Sequence, residues 1–207
     1  MKRIAIIGAG GHAKVIIDMI RANHIYKVVA VFDDKYKTLN QKQGVYYGPI
    51  VSINLIKEIS DCKFVVAIGN NAVRQKIVKQ LGLKREQYGT IIHPTATISE
   101  SVTIGFGTVI MPKAVVNADT IIGDHVIINT AAVVEHDNSI GNFVHISPNA
   151  TLTGTVLINE GTQIGAGATI IPSKQIGKWC IVGAGSVVIQ DIPSLCTAVG
   201  SPARIIK

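Results

Sequence analysis

The chain has 207 residues, 47% of them hydrophobic but only 5% aromatic, with 20 glycines, so its core is built from small aliphatic side chains rather than rings. Lys and Arg outnumber Asp and Glu by 20 to 13, a formal charge of +7, yet the basic residues are scattered without runs or aromatic interleaving, which excludes a nucleic-acid-binding role. Cys62, Cys180 and Cys196 form no C-x-x-C pair or disulfide framework, and no apolar stretch reaches the ~18 residues of a membrane span, so the sequence reads as a cytoplasmic protein with reduced thiols.

The N-terminus has a basic start and an apolar stretch, but Gly10, Gly11, His12 and Lys14 break it up, so a signal peptide is not expected there. Arg3 to Ile7 instead reads as an apolar strand, Gly8 to His12 as a glycine turn and Ala13 to Ala22 as a helix. A second strand, Lys27 to Phe32, ends in Asp33-Asp34-Lys35. A third, Phe64 to Ile68, runs into Gly69-Asn70-Asn71 and a helix from Ala72 to Leu81. Alternating strands and helices predict a small parallel α/β, Rossmann-like unit over residues 1–90, with ligands at the carboxyl ends of its strands.

G-A-G-G-H-A with Asp33 some twenty residues on is the outline of a dinucleotide fingerprint, in which backbone amides approach phosphate and the acid takes a ribose hydroxyl. Ninety residues leave no room for a second mononucleotide half, so a half-site for a sugar nucleotide fits the space better than a complete NAD site. Glycines that merely serve a tight turn are the plain alternative.

From Ile92 to Val188 an aliphatic residue recurs at every sixth position, seventeen hexads without a break in phase. Four positions after each comes a usually small residue, with Asn138 and Lys174 as exceptions. Glycine follows the aliphatic at 105, 123, 141, 165, 177 and 183, where a tight corner is expected to need relaxed backbone angles. A period of six fits a triangular coil with one short strand per side, three hexads to a turn, over residues 91–207 including a C-terminal tail. The aliphatic points inward and the small residue fills the space between layers.

These hexads, with the closing Gly200-Ser201-Pro202-Ala203-Arg204, resemble the hexapeptide-repeat acyltransferases. The resemblance implies a left-handed parallel β-helix, homotrimers and a coenzyme A site near that terminal segment. With Gly8-Ala9-Gly10-Gly11-His12, Asp33-Asp34, Ile68-Gly69-Asn70-Asn71 and Glu135-His136-Asp137, the whole chain is similar to the subfamily of PglD-type nucleotide-sugar N-acetyltransferases and sialic acid O-acetyltransferases. It implies that Gly10, Gly11, His12, Asp33, Asp34 and Gly69 touch the nucleotide or sugar, and that Ala166 and Ala184 lie along the pantetheine of acetyl-coenzyme A. Ala184 departs from relatives that have glycine there.

Acetyl transfer from a thioester needs a base for the attacking amine or hydroxyl and a donor for the oxyanion. His136 is the natural base and Asp137 its orienting acid, in the hexad that departs furthest from the repeat; the resemblance assigns the same roles. His145 lies nine residues, half a coil, from His136, so within one subunit the two occupy different parts of the triangle. Convergence across a subunit boundary would place each active site between neighbours, with His145 assisting the acetyl carbonyl. Gly154, eighteen residues after His136, is one layer along; its missing side chain is expected to leave room for the thioester and to expose an amide as oxyanion donor. The histidines at 125, 93 and 24 read as solvated corner residues, and no histidine spacing suggests a metal. The expected activity is acetyl-coenzyme A-dependent N-acetylation of a nucleotide-linked 4-amino sugar for surface glycan synthesis. O-acetylation of sialic acid or a related sugar, or a noncatalytic trimeric scaffold or sugar-nucleotide sensor, are the alternatives.

Overall fold

The computed structural model describes residues 1–56, 59 and 61–207, which form two compact units, Met1–Ile91 and Ile92–Lys207. In the first, strands β1 (Lys2–Ile7), β2 (Tyr26–Phe32), β3 (Asn40–Lys42), β4 (Val45–Gly48) and β5 (Lys63–Val66) make one sheet in the order β3-β4-β2-β1-β5. All neighbours are parallel except β3, which turns back on β4 through Gln43 and Gly44, both at positive φ. The sequence does not announce this hairpin, because its turn pair is Gln-Gly rather than Asn-Gly or Asp-Gly.

Helices α1 (Gly11–Asn23) and α2 (Asn71–Leu81) follow β1 and β5, so both begin at the carboxyl edge of the sheet. Two boundaries shift against expectation. Helix α1 starts at Gly11 rather than Ala13, because Gly10 at extended angles serves as its N-cap without a side chain, and His12 therefore sits in the first helical turn. β5 ends at Val66 rather than Ile68, leaving Ala67-Ile68-Gly69 as a loop before Asn70, whose side chain accepts the Val73 amide and caps α2.

The second unit is a three-sided, left-handed parallel β-helix. Each aliphatic of the hexad ends a two-residue strand, and strands inside the stack pair in register with those eighteen residues before and after, as Val133-Val134 does with Val115-Val116 and Thr151-Leu152. One side runs from Thr97–Ile98 to Val187–Val188 and the next from Thr103–Ile104 to Gln175–Ile176. The third carries Ile127–Ile128, His145–Ile146, Gln163–Ile164 and Ile181–Val182, and closes on Thr197–Val199 and the antiparallel Arg204–Ile205. A repeat of Ile, Val and Leu is buried along the axis, with Ala114, Ala132, Val144, Ala150 and Ala168 buried between the layers. Fully burying one such side chain is worth about 1.5–3 kcal/mol, and stacking identical coils repeats that gain with contacts made only between neighbouring coils.

The corner glycines are explained differently from the expectation. None of Gly105, Gly123, Gly141, Gly165, Gly177 and Gly183 has positive φ; instead a Cβ at each would come closer than 3.0 Å to atoms one coil along. The left-handed position is two residues later, and ordinary residues fill it: Lys113, Asp119, His125, Ala131, Asp137, Phe143, Asn149, Thr155, Ser173 and Trp179 all have φ between 54° and 61°. Close approach of coils, not backbone freedom, is what demands glycine after the aliphatic. Among the described residues no helix is long and apolar enough to cross a membrane.

Candidate active site

His136 projects from the corner that follows strand Val133–Val134, and Asp137 next to it takes the left-handed angles of that corner. This conformation turns the carboxylate back onto the ring, so that Asp137 Oδ2 lies 2.7 Å from His136 Nδ1. A carboxylate only accepts, so Nδ1 carries a proton, and in the neutral ring Nε2 is then the nitrogen with the lone pair. The pair is open, with side chains 60% and 55% exposed.

Gly154 is one coil along from His136, as expected, but its missing side chain does a different job. The space above Gly154 is taken by the imidazole itself: a Cβ there would lie 2.6 Å from Cε1 and 2.7 Å from Nε2. The room is therefore a seat for the ring rather than an empty slot for a thioester. Gly154 lacks positive φ, so its backbone does not require glycine, and no acceptor among the described residues takes its amide. The Nε2 edge of the ring thus lies against residue 154, whose amide has no acceptor among the described residues, and acyl transfer calls for a proton acceptor and a hydrogen-bond donor.

His145 is not part of this corner. It lies in a strand of the third side, paired with Ile127 and Gln163, and its Nε2 is 2.9 Å from Asn129 Nδ2. The amide nitrogen donates, so the His145 proton is on Nδ1. Ala166 and Ala184 are exposed at the corner that follows this same side, one coil apart, with the Gly185 amide donating to the Ala166 carbonyl at 2.8 Å. Beside them Gly167 and Gly185 have positive φ and open space, which makes a smooth lane of small residues. The sequence-predicted groups therefore fall at two different corners, His136, Asp137 and Gly154 at one and His145, Ala166 and Ala184 on and after another side.

His125 is not a solvated corner residue. It is 4% exposed, and its ring stacks on Phe143 with centroids 5.2 Å apart and planes 7° from parallel, lying over Gly107. The eighteen-residue spacing of 107, 125 and 143 is the signal that the sequence reading passed over.

In the first unit the N-termini of α1 and α2 both open at the carboxyl edge of the sheet, where Gly10, Gly11 and Gly69 have nothing within 4 Å of a modest side chain. Paired helix N-termini without side chains in the way suit an anion. Asp33 is spent on the loop itself: Oδ2 accepts the Ala9 amide at 2.7 Å and Oδ1 the Lys35 amide at 2.9 Å, while Lys35 Nζ donates to the Ala9 carbonyl at 2.6 Å. It shapes the glycine turn, with a second lone pair left on each oxygen. Asp34 Oδ1 accepts the Ile50 amide at 3.2 Å. Arg74, which no motif marked, is 1% exposed and donates to the Ile68 and Gly69 carbonyls and to Asn71 Oδ1, fixing the loop before α2. Burial lowers its guanidinium to about 9, still cationic at neutral pH.

The buried His12 Nε2 has no hydrogen-bond partner among the described residues. Burial first, and the Arg74 charge second, push the imidazole down from 6.5 to about 4, so it is neutral at pH 7. Between those two pH values the unfolded chain binds more protons than the folded one. The stability that this neutral histidine contributes is complete above pH 6.5 and lost as pH falls toward 4, up to about 3 kcal/mol for a shift of this size. His12→Gln is expected to flatten that part of the stability–pH profile, measured by denaturant unfolding of the whole chain. An equally steep profile in the variant would assign the loss to other groups. Among the described residues no group of three or more His, Cys, Asp or Glu is placed to hold a metal ion.

Residues 3–81 match the family described as the PglD N-terminal domain. A UDP-N-acetylbacillosamine N-acetyltransferase of Bacillus subtilis (strain 168) is 50% identical over 106 residues, 51% of this chain and 49% of that protein. The chain thus spans about half the length of this curated relative. Among solved structures, the acetyltransferase domain of PglB from Neisseria gonorrhoeae FA1090 in complex with acetyl coenzyme A is 39% identical, with a TM-score of 0.87 over 99% of both chains. PerB from Caulobacter crescentus, in complex with CoA and GDP-perosamine, is 38% identical, with a TM-score of 0.90 over 100% of this chain and 98% of the other.

Proposed function

This chain belongs to the PglD-like subfamily of the hexapeptide-repeat acyltransferases, and from that premise we propose that it is an acetyl-coenzyme A-dependent N-acetyltransferase of a nucleotide-linked 4-amino sugar, serving surface glycan synthesis. The observation that carries the reading is the His136–Asp137 pair at 2.7 Å, with the Nε2 edge of the ring seated over Gly154. The amine nitrogen attacks the thioester carbonyl carbon and forms the C–N bond as Nε2 takes its proton, the carbonyl oxygen becomes an oxyanion facing the Gly154 amide, and the oxyanion then collapses to the amide carbonyl as the C–S bond breaks. The imidazolium returns its proton to the departing thiolate. Asp137 holds the ring in the tautomer this requires and stabilises the imidazolium. In the N-terminal unit Gly10, Gly11 and Gly69 offer backbone to the nucleotide phosphates, with His12 and Asp34 nearby; Asp33 acts by holding the turn.

We also infer a homotrimer in the cytoplasm. His145, Ala166 and Ala184, assigned to the acyl donor, lie on another side of the prism from His136 and Gly154, so a complete site needs a second copy to bring one set to the other. The exposed Ile121 and Ile181 on the outer faces suit burial between copies. Light scattering on the purified chain tests this.

The function is tested by thiol release from acetyl-coenzyme A with UDP-, GDP-, dTDP- and CMP-linked 4-amino sugars, and with free sialic acid. Turnover with a nucleotide-linked amine and none with sialic acid is the expected result. Turnover with sialic acid alone would replace the N-acetyl reading by O-acetylation, and silence across the panel would remove both.

A further inference from the structure

The residue four positions after each hexad aliphatic is usually small and apolar, and where it is Thr it makes the same two bonds every time. Thr108, Thr120 and Thr162 each donate Oγ1 to the carbonyl fifteen residues on, of Gly123, Glu135 and Gly177, and each accepts the amide eighteen residues on, of Val126, Asn138 and Cys180. That is the repeat's ordinary stitch between coils.

Asn138, 1% exposed, makes this stitch and then exceeds it. Its Nδ2 donates to Thr153 O at 3.0 Å and its Oδ1 accepts the Val156 amide at 2.9 Å, fifteen and eighteen residues on. The same Nδ2 also reaches back into its own turn, to Glu135 O at 2.5 Å and His136 O at 3.3 Å. Those carbonyls belong to the two peptide planes that flank the His136 Cα, and so bear on the direction in which the imidazole leaves the backbone. Thr153 immediately precedes Gly154, on which the ring rests. One buried amide therefore ties the turn that carries the ring to the turn that seats it.

We propose that Asn138 is a positioning residue for His136, holding the imidazole at a fixed place relative to Gly154; this rests on the base reading of His136 given above. The repeat itself supplies the decisive control. Asn138→Thr restores the bonds to Thr153 O and Val156 N as Thr108, Thr120 and Thr162 make them, and removes only the two that reach back. Neither carbonyl is orphaned, since Glu135 O keeps Thr120 Oγ1 and His136 O keeps the Thr155 amide at 3.0 Å. A merely structural asparagine would be replaced without loss.

The experiment measures kcat and KM with acetyl-coenzyme A and the nucleotide-linked amine turned over in the panel, thermal unfolding, and the NMR resonance of the His136 ring, in the wild type, Asn138→Thr and Asn138→Ala. The expected Asn138→Thr protein unfolds at the wild-type temperature, keeps both KM values, shows a shifted or broadened His136 resonance and loses roughly ten- to a hundredfold in kcat, the scale of a misplacement of about 1 Å. Asn138→Ala is expected to lose the same rate and, in addition, stability. Asn138→Thr at full kcat overturns the proposal. Should His136→Ala also run at full rate, it is the base reading that has failed, and the His136 resonance alone then decides: unperturbed by Asn138→Thr, it overturns the positioning role as well.

Discussion

His136→Ala is expected to lower kcat by about 10²–10⁴-fold, the usual contribution of a positioned general base. The amine loses the acceptor for its proton and the thiolate loses the donor that returns it, while every contact that binds the nucleotide and the pantetheine stays. KM for both substrates should therefore change little, which separates a chemical loss from a binding one. The fold should not suffer, because the imidazole is 60% exposed and its partner is the neighbouring Asp137 rather than the prism. Steady-state kinetics beside thermal unfolding and light scattering check this; a folded variant of unchanged assembly that transfers acetyl at the native rate would show that the proton goes elsewhere.

Gly154→Ala is expected to cost about a hundredfold in kcat, from one methyl group that touches neither substrate. The methyl would stand 2.6 Å from Cε1 and 2.7 Å from Nε2, distances that force something to move. The exposed ring is freer to move than the backbone, so the base swings off its seat while the coil remains. Alanine keeps the amide and meets no backbone strain, since φ at 154 is not in the left-handed region. The variant therefore isolates the empty space from the N–H. Unfolding should match the wild type, and a crystal structure should show a displaced imidazole. Native kcat in Gly154→Ala would mean that ring and methyl coexist and that residue 154 matters only through its amide.

The β-helix was legible from the sequence because its order is one-dimensional. An aliphatic every sixth residue from Ile92 to Val188 fixes which residue points inward and where each strand ends, and a periodic chain needs no knowledge of distant partners to reveal it. The local break at Glu135-His136-Asp137-Asn138 was visible for the same reason, as a departure from a rule that its neighbours keep. What the period could not say is what lies across the gap between coils. Gly105 and Gly123 looked like relaxed corners and are places where the next coil comes too close for a Cβ. His125 looked solvated and is packed on Phe143, and the space at Gly154 looked open and holds the imidazole.

In the N-terminal unit the sequence marked three strands and both helices through apolar runs and glycine turns. The β3–β4 hairpin lacked a long enough run, and the assignment of Asp33 to the glycine loop depended on which amides the turn presents. Periodicity and composition act on residues near in sequence, so they determine the repeat and mark the corner that departs from it. Contacts between coils depend on side-chain volume and direction at residues eighteen apart, and only the folded stack decided that the His136 imidazole sits over Gly154 and that the Asn138 amide reaches both of their turns.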